Sequence, residues 1–549
     1  MAGRTHAGVL RVRPDPRAHV ASRRADVNLT ISLSNIALKE ACMAALSFLD
    51  RQHSIAPPGY SRWLVPPAAL AVHLCIGQVY ATSVYKTSLI TDFGASEKSI
   101  GYIFSLAILM LGLSSAVFGK WVDLGGPRRA MFTAACCWSA GFLIASFGIK
   151  SGQLWLVYLG YGVIGGIGLG IGYISPVSTL IKWFPDRPGL ATGMAIMGFG
   201  GGALVASPVI TKLLGHYGTA THPPKPDGTP NLTVNIFDAT TVSKVFLTLG
   251  IVYFIFMMFG VFTIKVPAPG WAPAGYDPSK AHTKAARVTG QVSADNAIKT
   301  PQFYLLWIVL LCNVTAGIGI LENASPMIQD FFRNADGSSS LTTNPKNVAI
   351  VAAGFVGFIS LFNMGGRFAW STASDYLGRK VNYIIYLGVG MIMFFIVATS
   401  GHKSTFIFIA CVAVIASFYG GGFSTVPAYL RDLYGTYQVG AIHGRLLTAW
   451  STAGVLGPLI INGLLDHAAE GKPCKSVLNT VTNKQVEVCP VDKTGHVVAG
   501  FLNASDYRTA MLIMVGVLAV GFVANLLIRP VNAKFHEVGP VKDAVDSAH

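Results

Sequence analysis

Arg367 is the residue that points most directly to chemistry. It follows an uncharged stretch, 347–366, and Phe-Ala-Trp comes after it before the chain turns polar near 374. A guanidinium stays charged at any physiological pH, so inside an apolar run it must face a cavity or a partner. Its planar fork matches a carboxylate through two parallel hydrogen bonds. The competing reading is that Arg367 snorkels toward a membrane face or pairs with a loop carboxylate such as Asp375. Two further groups are candidates for taking up a proton: Glu322, next to Asn323 at the end of another uncharged run, and His73 inside a third. Burial can keep a carboxyl protonated near neutrality. The plainer readings are an outer-rim residue in water for Glu322 and a hydrogen-bonded packing residue for His73. The chain holds no Gly-x-x-x-x-Gly-Lys-Ser/Thr, no His-Glu-x-x-His and no clustered Cys-x-x-Cys. No metal and no cofactor is therefore expected, and no ATP site. No nucleophile–base or metal constellation for an enzyme stands out. An ion or exchange gradient is left as the source of energy.

These residues sit in a chain of 549 residues with net charge +16, of which 52% are hydrophobic and 12% charged. A soluble domain carries roughly 25% charged residues, so the composition excludes a disordered chain and argues against an ordinary soluble enzyme. The 60 glycines show no collagen period. Nucleic-acid binding is not expected, because the basic residues fall between long apolar runs rather than on a polar face. Runs free of Asp, Glu, Lys and Arg cover 63–85, 99–119, 130–149, 151–181, 188–211, 245–264, 303–321, 347–366, 381–402, 404–430, 446–465 and 509–528. A helix needs about 20 apolar residues to cross a bilayer, and barrel strands would alternate in polarity over about 10. The runs predict twelve membrane helices, spans one to twelve, in an all-α membrane protein. Glycine is dense in Tyr161–Gly172 and in Gly198–Gly202. Small residues that let helices approach explain both better than a phosphate-cradling loop does.

Loops assigned to either face carry 14 Lys/Arg each, whereas the N-terminal tail through Arg62 carries 9 and the tail from Arg529 carries 3. The tails place both termini in the cytoplasm of a multi-pass protein of the cell (inner or plasma) membrane. The apolar segment 41–49 is too short to span and is read as a surface helix or lead-in. Five cysteines fall in spans and Cys42 in the tail. Cys474 and Cys489 stand apart from these in the long polar segment between spans eleven and twelve, which the topology puts outside, where an oxidising compartment favours their pairing. A Pro- and Lys-containing stretch, 266–300, divides the spans six and six. The expected organisation is a tail at 1–60, a bundle at 61–265, a linker at 266–300, a second bundle at 301–530 and a tail at 531–549.

The two halves repeat each other. Gly119-Lys-Trp-Val-Asp123-Leu-Gly-Gly126-Pro-Arg128-Arg129 follows span two, and Ser371-Thr-Ala-Ser-Asp375-Tyr-Leu-Gly378-Arg379-Lys380 follows span eight. In each, a small residue precedes Asp by four, Gly comes three later, and two basic residues close the loop. The small residue permits close packing, the glycine a tight turn, and the aspartate can accept from a neighbouring helix N-terminus. A looser echo joins Trp183–Gly193 to Leu430–Gly435 and His443-Gly444-Arg445.

With these loops the chain resembles the major facilitator superfamily over about 61–530. Within it the chain is similar to the oxalate:formate antiporter family. The features that carry this are Lys182-Trp-Phe-Pro-Asp-Arg-Pro-Gly-Leu-Ala-Thr-Gly193, Phe362-Asn-Met-Gly-Gly-Arg367 and Lys299-Thr-Pro-Gln-Phe-Tyr-Leu-Leu-Trp307. The resemblance implies two six-helix bundles around a central cavity, with alternating access and substrate bound at mid-membrane. It makes Arg367 the match of a substrate-binding arginine, and Tyr80, Tyr173, Phe199, Tyr419 and Phe423 the matches of cavity-lining aromatics. Each aromatic alone would equally well be packing. The family's oxalate exchanger has a second cation, a lysine, in span eleven, where alignment puts Trp450. Burying a dianion against one guanidinium leaves a charge uncompensated. The expected substrate is therefore a monocarboxylate such as lactate, pyruvate, acetate or formate, with a proton as a possible companion and the lipid bilayer as the other partner. Lys86 or Arg445 could supply a missing charge, although both sit near span ends. Oxalate/formate-type exchange and a non-transporting sensor on the same fold are the alternatives, and a monomer is expected.

Overall fold

The computed structural model describes residues 47–95, 97–221, 236–276, 290–334, 339–342, 348–479, 484–489 and 501–537. Cys42 and most of the 41–49 segment lie outside them, as do 277–289 of the linker.

The described chain is overwhelmingly helical. Span one is built from Pro66–Ile76, a 3-10 turn at Gly77–Ala81 and Ser83–Phe93. Spans two and three are Glu97–Gly125 and Pro127–Lys150. Span four starts at Leu154–Val157, passes through a π-helical segment at Tyr158–Gly165 and continues as Gly166–Trp183. Spans five and six are Pro188–Tyr217 and Ala239–Thr263. Span seven is Pro301–Phe331, span eight Val348–Leu377, span nine Arg379–Ser400 and span ten Thr405–Tyr434. Span eleven comes in two pieces, Val439–Leu446 and Thr448–Glu470, and span twelve is Ala504–Leu527. Among the described residues eleven of these are long and apolar enough to cross a membrane. The remaining one, span eight, carries Arg367 and is 30 residues long, about 45 Å of helix.

Local chemistry sets the helix starts. Proline opens spans one, three, five and seven, where its missing N–H costs nothing. Gly126 and Gly378 hold φ of +86° and +91°, which turns each repeated loop directly into the next span. Within the first half span one packs on five, two on four and three on six. In the second half seven packs on eleven, eight on ten and nine on twelve. Each pairing in one half has its counterpart in the other, as the repeated loops require. The dense glycines serve this packing. A Cβ on Gly168 would strike the Trp138 backbone and one on Gly166 the Ala107 carbonyl, so spans two, three and four touch at backbone distance.

Segments flanking the bundles are tied down on the face of the repeated loops. Ala56 and Val266 exchange backbone hydrogen bonds with one another's neighbourhood, Ala56 N to Val266 O and Val266 N to Ser54 O. Arg128 reaches across, stacking over Phe48 at 4.3 Å and donating to the His53 carbonyl at 3.0 Å. Residues 47–56, which the sequence places in a tail, thus form a strap under the first half. Under the second half, Gln291 Oε1 accepts from the Thr436 and Tyr437 amides.

On the opposite face, strands β1 (Lys475–Asn479) and β2 (Lys484–Val488) form an antiparallel hairpin in the register Lys475↔Val488. Cys474 and Cys489, flanking its open end, are joined as a disulfide. Closing a loop of this length stabilises by roughly 3 kcal/mol in the chain-entropy model. Mass spectrometry of natively expressed protein, alkylated without reduction, should return a linked Cys474–Cys489 peptide. Two alkylated thiols would refute the pairing.

Candidate substrate-binding site

Arg367 lies on span eight with its side chain fully buried. Asn363, one turn earlier, accepts from its Nε at 3.2 Å and so aims the fork. Among the described residues Nη1 and Nη2 have no hydrogen-bond partner, and no carboxylate pairs with the guanidinium. The snorkelling and Asp375 alternatives do not describe this side chain. Asp375 pairs with Arg379 at 2.7 Å and accepts from the Gly189 and Leu190 amides.

The ring system around Arg367 brings together every aromatic residue singled out above. The guanidinium carbon lies 5.2 Å from the Phe423 ring centre and 5.7 Å from that of Phe199, close enough for cation–π attraction. Phe199 in turn meets Tyr80, Tyr173 and Trp450 edge to face at 5.3–5.4 Å. Phe423 packs on Trp450 at 4.5 Å and on Tyr419 at 5.1 Å. Tyr80 and Tyr419 join hydroxyls at 3.2 Å across the two halves. Tyr80 is half-buried, and the other rings are buried. Tyr173 Oη and Trp450 Nε1 have no partner among the described residues. Three polar groups capable of donating to an oxygen, Arg367, Tyr173 and Trp450, are therefore buried within one aromatic cage. Buried donors clustered in this way make the cage a candidate site for an acceptor.

Sequence reasoning missed two members of this neighbourhood. Asn363 was legible as a polar residue four before Arg367 on the same helix face. His443 was hidden because the charge-free run of span eleven starts after Arg445, whereas the helix starts at Val439. His443 is buried, lies 5.8 Å from the Tyr173 ring and has an unpartnered Nε2. Glu322 by contrast is exposed. Arg445 is committed elsewhere, to Asp295 at 2.8 Å and the Ala294 carbonyl at 2.5 Å. A cleft of about 290 Å³ lined by Lys120, Asp123, Lys182 and Trp271 opens on the loop face and includes no cage residue.

The cage sits at the inner end of a seam that closes the loop face. Asp123 on span two accepts from the Ala441 amide at 2.9 Å, at the N-terminus of span eleven. Asp375 on span eight does the same for span five through Gly189 and Leu190, at 2.8 and 2.9 Å. Each signature aspartate thus caps a helix of the other half, where carboxylate charge meets the positive end of the helix dipole. Arg379 bridges Asp375 and Asp432, and Arg431 reaches the Pro185 carbonyl at 3.1 Å. Above the aspartates the seam is made of small residues. Gly193 faces Ser371 and the Arg367 carbonyl, and Gly112 faces Ser451, whose hydroxyl donates to the Ile108 carbonyl at 2.9 Å. From Gly189 to Gly201 the seam runs 13 residues, about 18 Å of helix. Nearer the hairpin face, Gly101, Gly354, Gly357 and Gly463 on the same kinds of helix meet nothing within 4 Å.

Two bundles related by an internal repeat and meeting around a buried charge are the architecture of a membrane transporter. The family model of the Major Facilitator Superfamily matches residues 68–458. The chain belongs to that superfamily and is a multi-pass membrane transporter of this type. It is 24% identical over 399 residues to the oxalate:formate antiporter of Oxalobacter formigenes, covering 72% of this chain and 83% of that protein. It is 25% identical over 507 residues to apicoplast pyruvate carrier 1 of Toxoplasma gondii, covering 79% and 88%. The fold is similar to that of the E. coli fucose:proton symporter FucP, with a TM-score of 0.54, 14% identity and coverage of 85% and 99%.

Replacing Arg367 by Lys should leave insertion and folding intact but lower transport by at least about tenfold, because an ammonium keeps the charge and loses the planar fork. Uptake within about twofold of the unmodified protein in liposomes would show that a point charge suffices and would remove the fork from the site.

Proposed function

We propose that this protein carries a small monocarboxylate across the membrane by alternating access, with Arg367 as the carboxylate's partner. The observation that carries this reading is the pair of buried, unpartnered Arg367 nitrogens inside an aromatic cage shared by both halves. Carboxylate oxygens would accept from the guanidinium fork, and Tyr173 Oη is a further donor beside it. Trp450 and Phe423 would cover the apolar end of the substrate and exclude water. Tyr80 and Tyr419 would form the rim on the hairpin side.

The single cation favours one negative charge on the substrate. Trp450 stands where a lysine would serve a second carboxylate, and Arg445 is held by Asp295 outside the cage. The antiporter and the pyruvate carrier among the relatives both bear names that include small carboxylates, which agrees with this class. Bundles at 61–265 and 301–530 would rock about the cage, joined by the 266–300 linker, within a monomer. With the basic tails in the cytoplasm, the closed seam at Asp123 and Asp375 faces inward. Releasing those two helix caps would open the path to the cytoplasm, while the halves closed over Tyr80 and Tyr419. Movement of one proton with each anion would keep the cycle electrically neutral.

Competition against labelled substrate in liposomes at fixed pH tests the charge preference. Lactate, pyruvate, acetate or formate should inhibit uptake more strongly than oxalate or succinate, by roughly tenfold or more, since an uncompensated buried charge costs several kcal/mol. Stronger inhibition by oxalate than by every monocarboxylate would replace this reading with dicarboxylate exchange. Binding without counterflow of any of them would leave a sensor.

A further inference from the structure

His73 lies within the first helical piece of span one and is fully buried. Its Nδ1 faces the carbonyl oxygen of Ala195 on span five, and its Nε2 lies 3.1 Å from the carbonyl oxygen of Tyr173 on span four. Carbonyl oxygens only accept. A neutral imidazole has a single N–H, so it can satisfy one of these contacts and must turn a lone pair toward the other oxygen. An imidazolium donates to both. A histidine placed only for packing would have one acceptor and one donor or apolar neighbour. Both ring nitrogens of this one face acceptors, so a second proton, once taken up, would be hydrogen-bonded at once.

Its surroundings link that charge to the substrate site. The titratable and charged groups facing it are Tyr173 from span four, Arg367 from span eight and His443 from span eleven. Span five offers the Ala195 carbonyl and Gly198, and span six packs Gly260 against Ala68 and Val72 on the same helix. Among the described residues no carboxylate joins this set. Burial foremost, and the Arg367 charge with it, opposes a second cation here, while the two carbonyls favour a proton on His73. A carboxylate bound at Arg367 cancels the guanidinium charge and adds a negative one near the ring, which removes the Arg367 part of that opposition. By linkage the proton must then strengthen anion binding by the same factor.

We propose that His73 is the proton carrier of this transporter: it takes up one proton when a carboxylate binds at Arg367, and both cross together with no net charge. No bond between heavy atoms changes: the proton passes from hydronium on one side to the ring nitrogen that lacks one, forming an N–H bond, and that bond breaks when the proton returns to water on the other side. The inference rests on the monocarboxylate reading above.

The test uses the full chain, with pyruvate and acetate as probes. In weakly buffered detergent solution with a pH dye, the unmodified protein should take up protons on adding either anion, approaching one per anion bound somewhere between about pH 5 and 8. His73→Gln keeps a donor toward a carbonyl but cannot ionise, so it should bind pyruvate more weakly and take up no proton. In liposomes, corrected for protein-free vesicles, the unmodified protein should accumulate pyruvate about tenfold per unit of inward pH gradient, and His73→Gln about onefold, while still exchanging labelled for unlabelled pyruvate. Proton uptake should persist in His443→Gln. Anion binding by the unmodified protein without proton uptake would overturn the proposal. Full coupling in His73→Gln, or loss of coupling in His443→Gln, would also do so. If His73→Gln does not fold, the unmodified protein and His443→Gln still decide. Absence of binding and exchange of both anions in the unmodified protein would instead be a failure of the monocarboxylate reading.

Discussion

A permanent positive charge, buried without a counter-charge among the described residues, is the constraint around which this molecule is organised. Arg367 sits in the middle of span eight with its Nε held by Asn363, and among the described residues its two terminal nitrogens have no hydrogen-bond partner. An isolated buried ion is tolerated only when its surroundings supply electrostatic compensation. Here the faces of Phe199 and Phe423 supply part of it through their ring quadrupoles. Phe199 belongs to the first half and Phe423 to the second, so the buried charge is enclosed by rings from both halves.

Closure on the loop face uses inexpensive parts. Two aspartates cap helices of the opposite half, and Gly112, Gly119, Gly189 and Gly193 bring backbones of the two halves close together. Hydrogen bonds and helix-dipole contacts exchange readily for water once a gap admits it, whereas an interdigitated core would not. The seam is therefore suited to opening and closing rather than to permanent adhesion.

The segments outside the spans join in this arrangement. Asp295, in the linker, pairs with Lys120 of span two at 2.5 Å and with Arg445 of span eleven at 2.8 Å. The ammonium of Lys120 foremost, then the guanidinium of Arg445, holds its carboxyl down to about 2, so it remains ionised throughout the physiological range. Exposure to water limits the strength of each pair. Its position still gives the linker a contact with both halves in the closed state.

Much of this was written in the sequence. Membrane burial forces helices and demands apolar length, so the span count could be read from charge spacing alone. The duplicated loop of small residue, Asp, Gly and basic pair carried the six-plus-six organisation, because a tight turn and a helix cap need those residue types at those offsets. Arg367 was visible as a lone charge in an apolar run. Other features were decided only by the tertiary structure. That Asp123 and Asp375 cap helices of the opposite half could not be read from a repeat whose partners lie 186 to 318 residues away in sequence. The start of span eleven was obscured by Arg445, whose charge ended the apolar run although its partner Asp295 lies outside the cage. Whether Tyr80, Tyr173, Phe199, Tyr419, Phe423 and Trp450 were packing or cage depended on which helix faces meet, a property of bundle geometry rather than of any local pattern. His73 shows the difference most sharply: its type suggested proton chemistry, but the two carbonyls that face its ring nitrogens come from backbone on two other helices, which side-chain sequence does not encode.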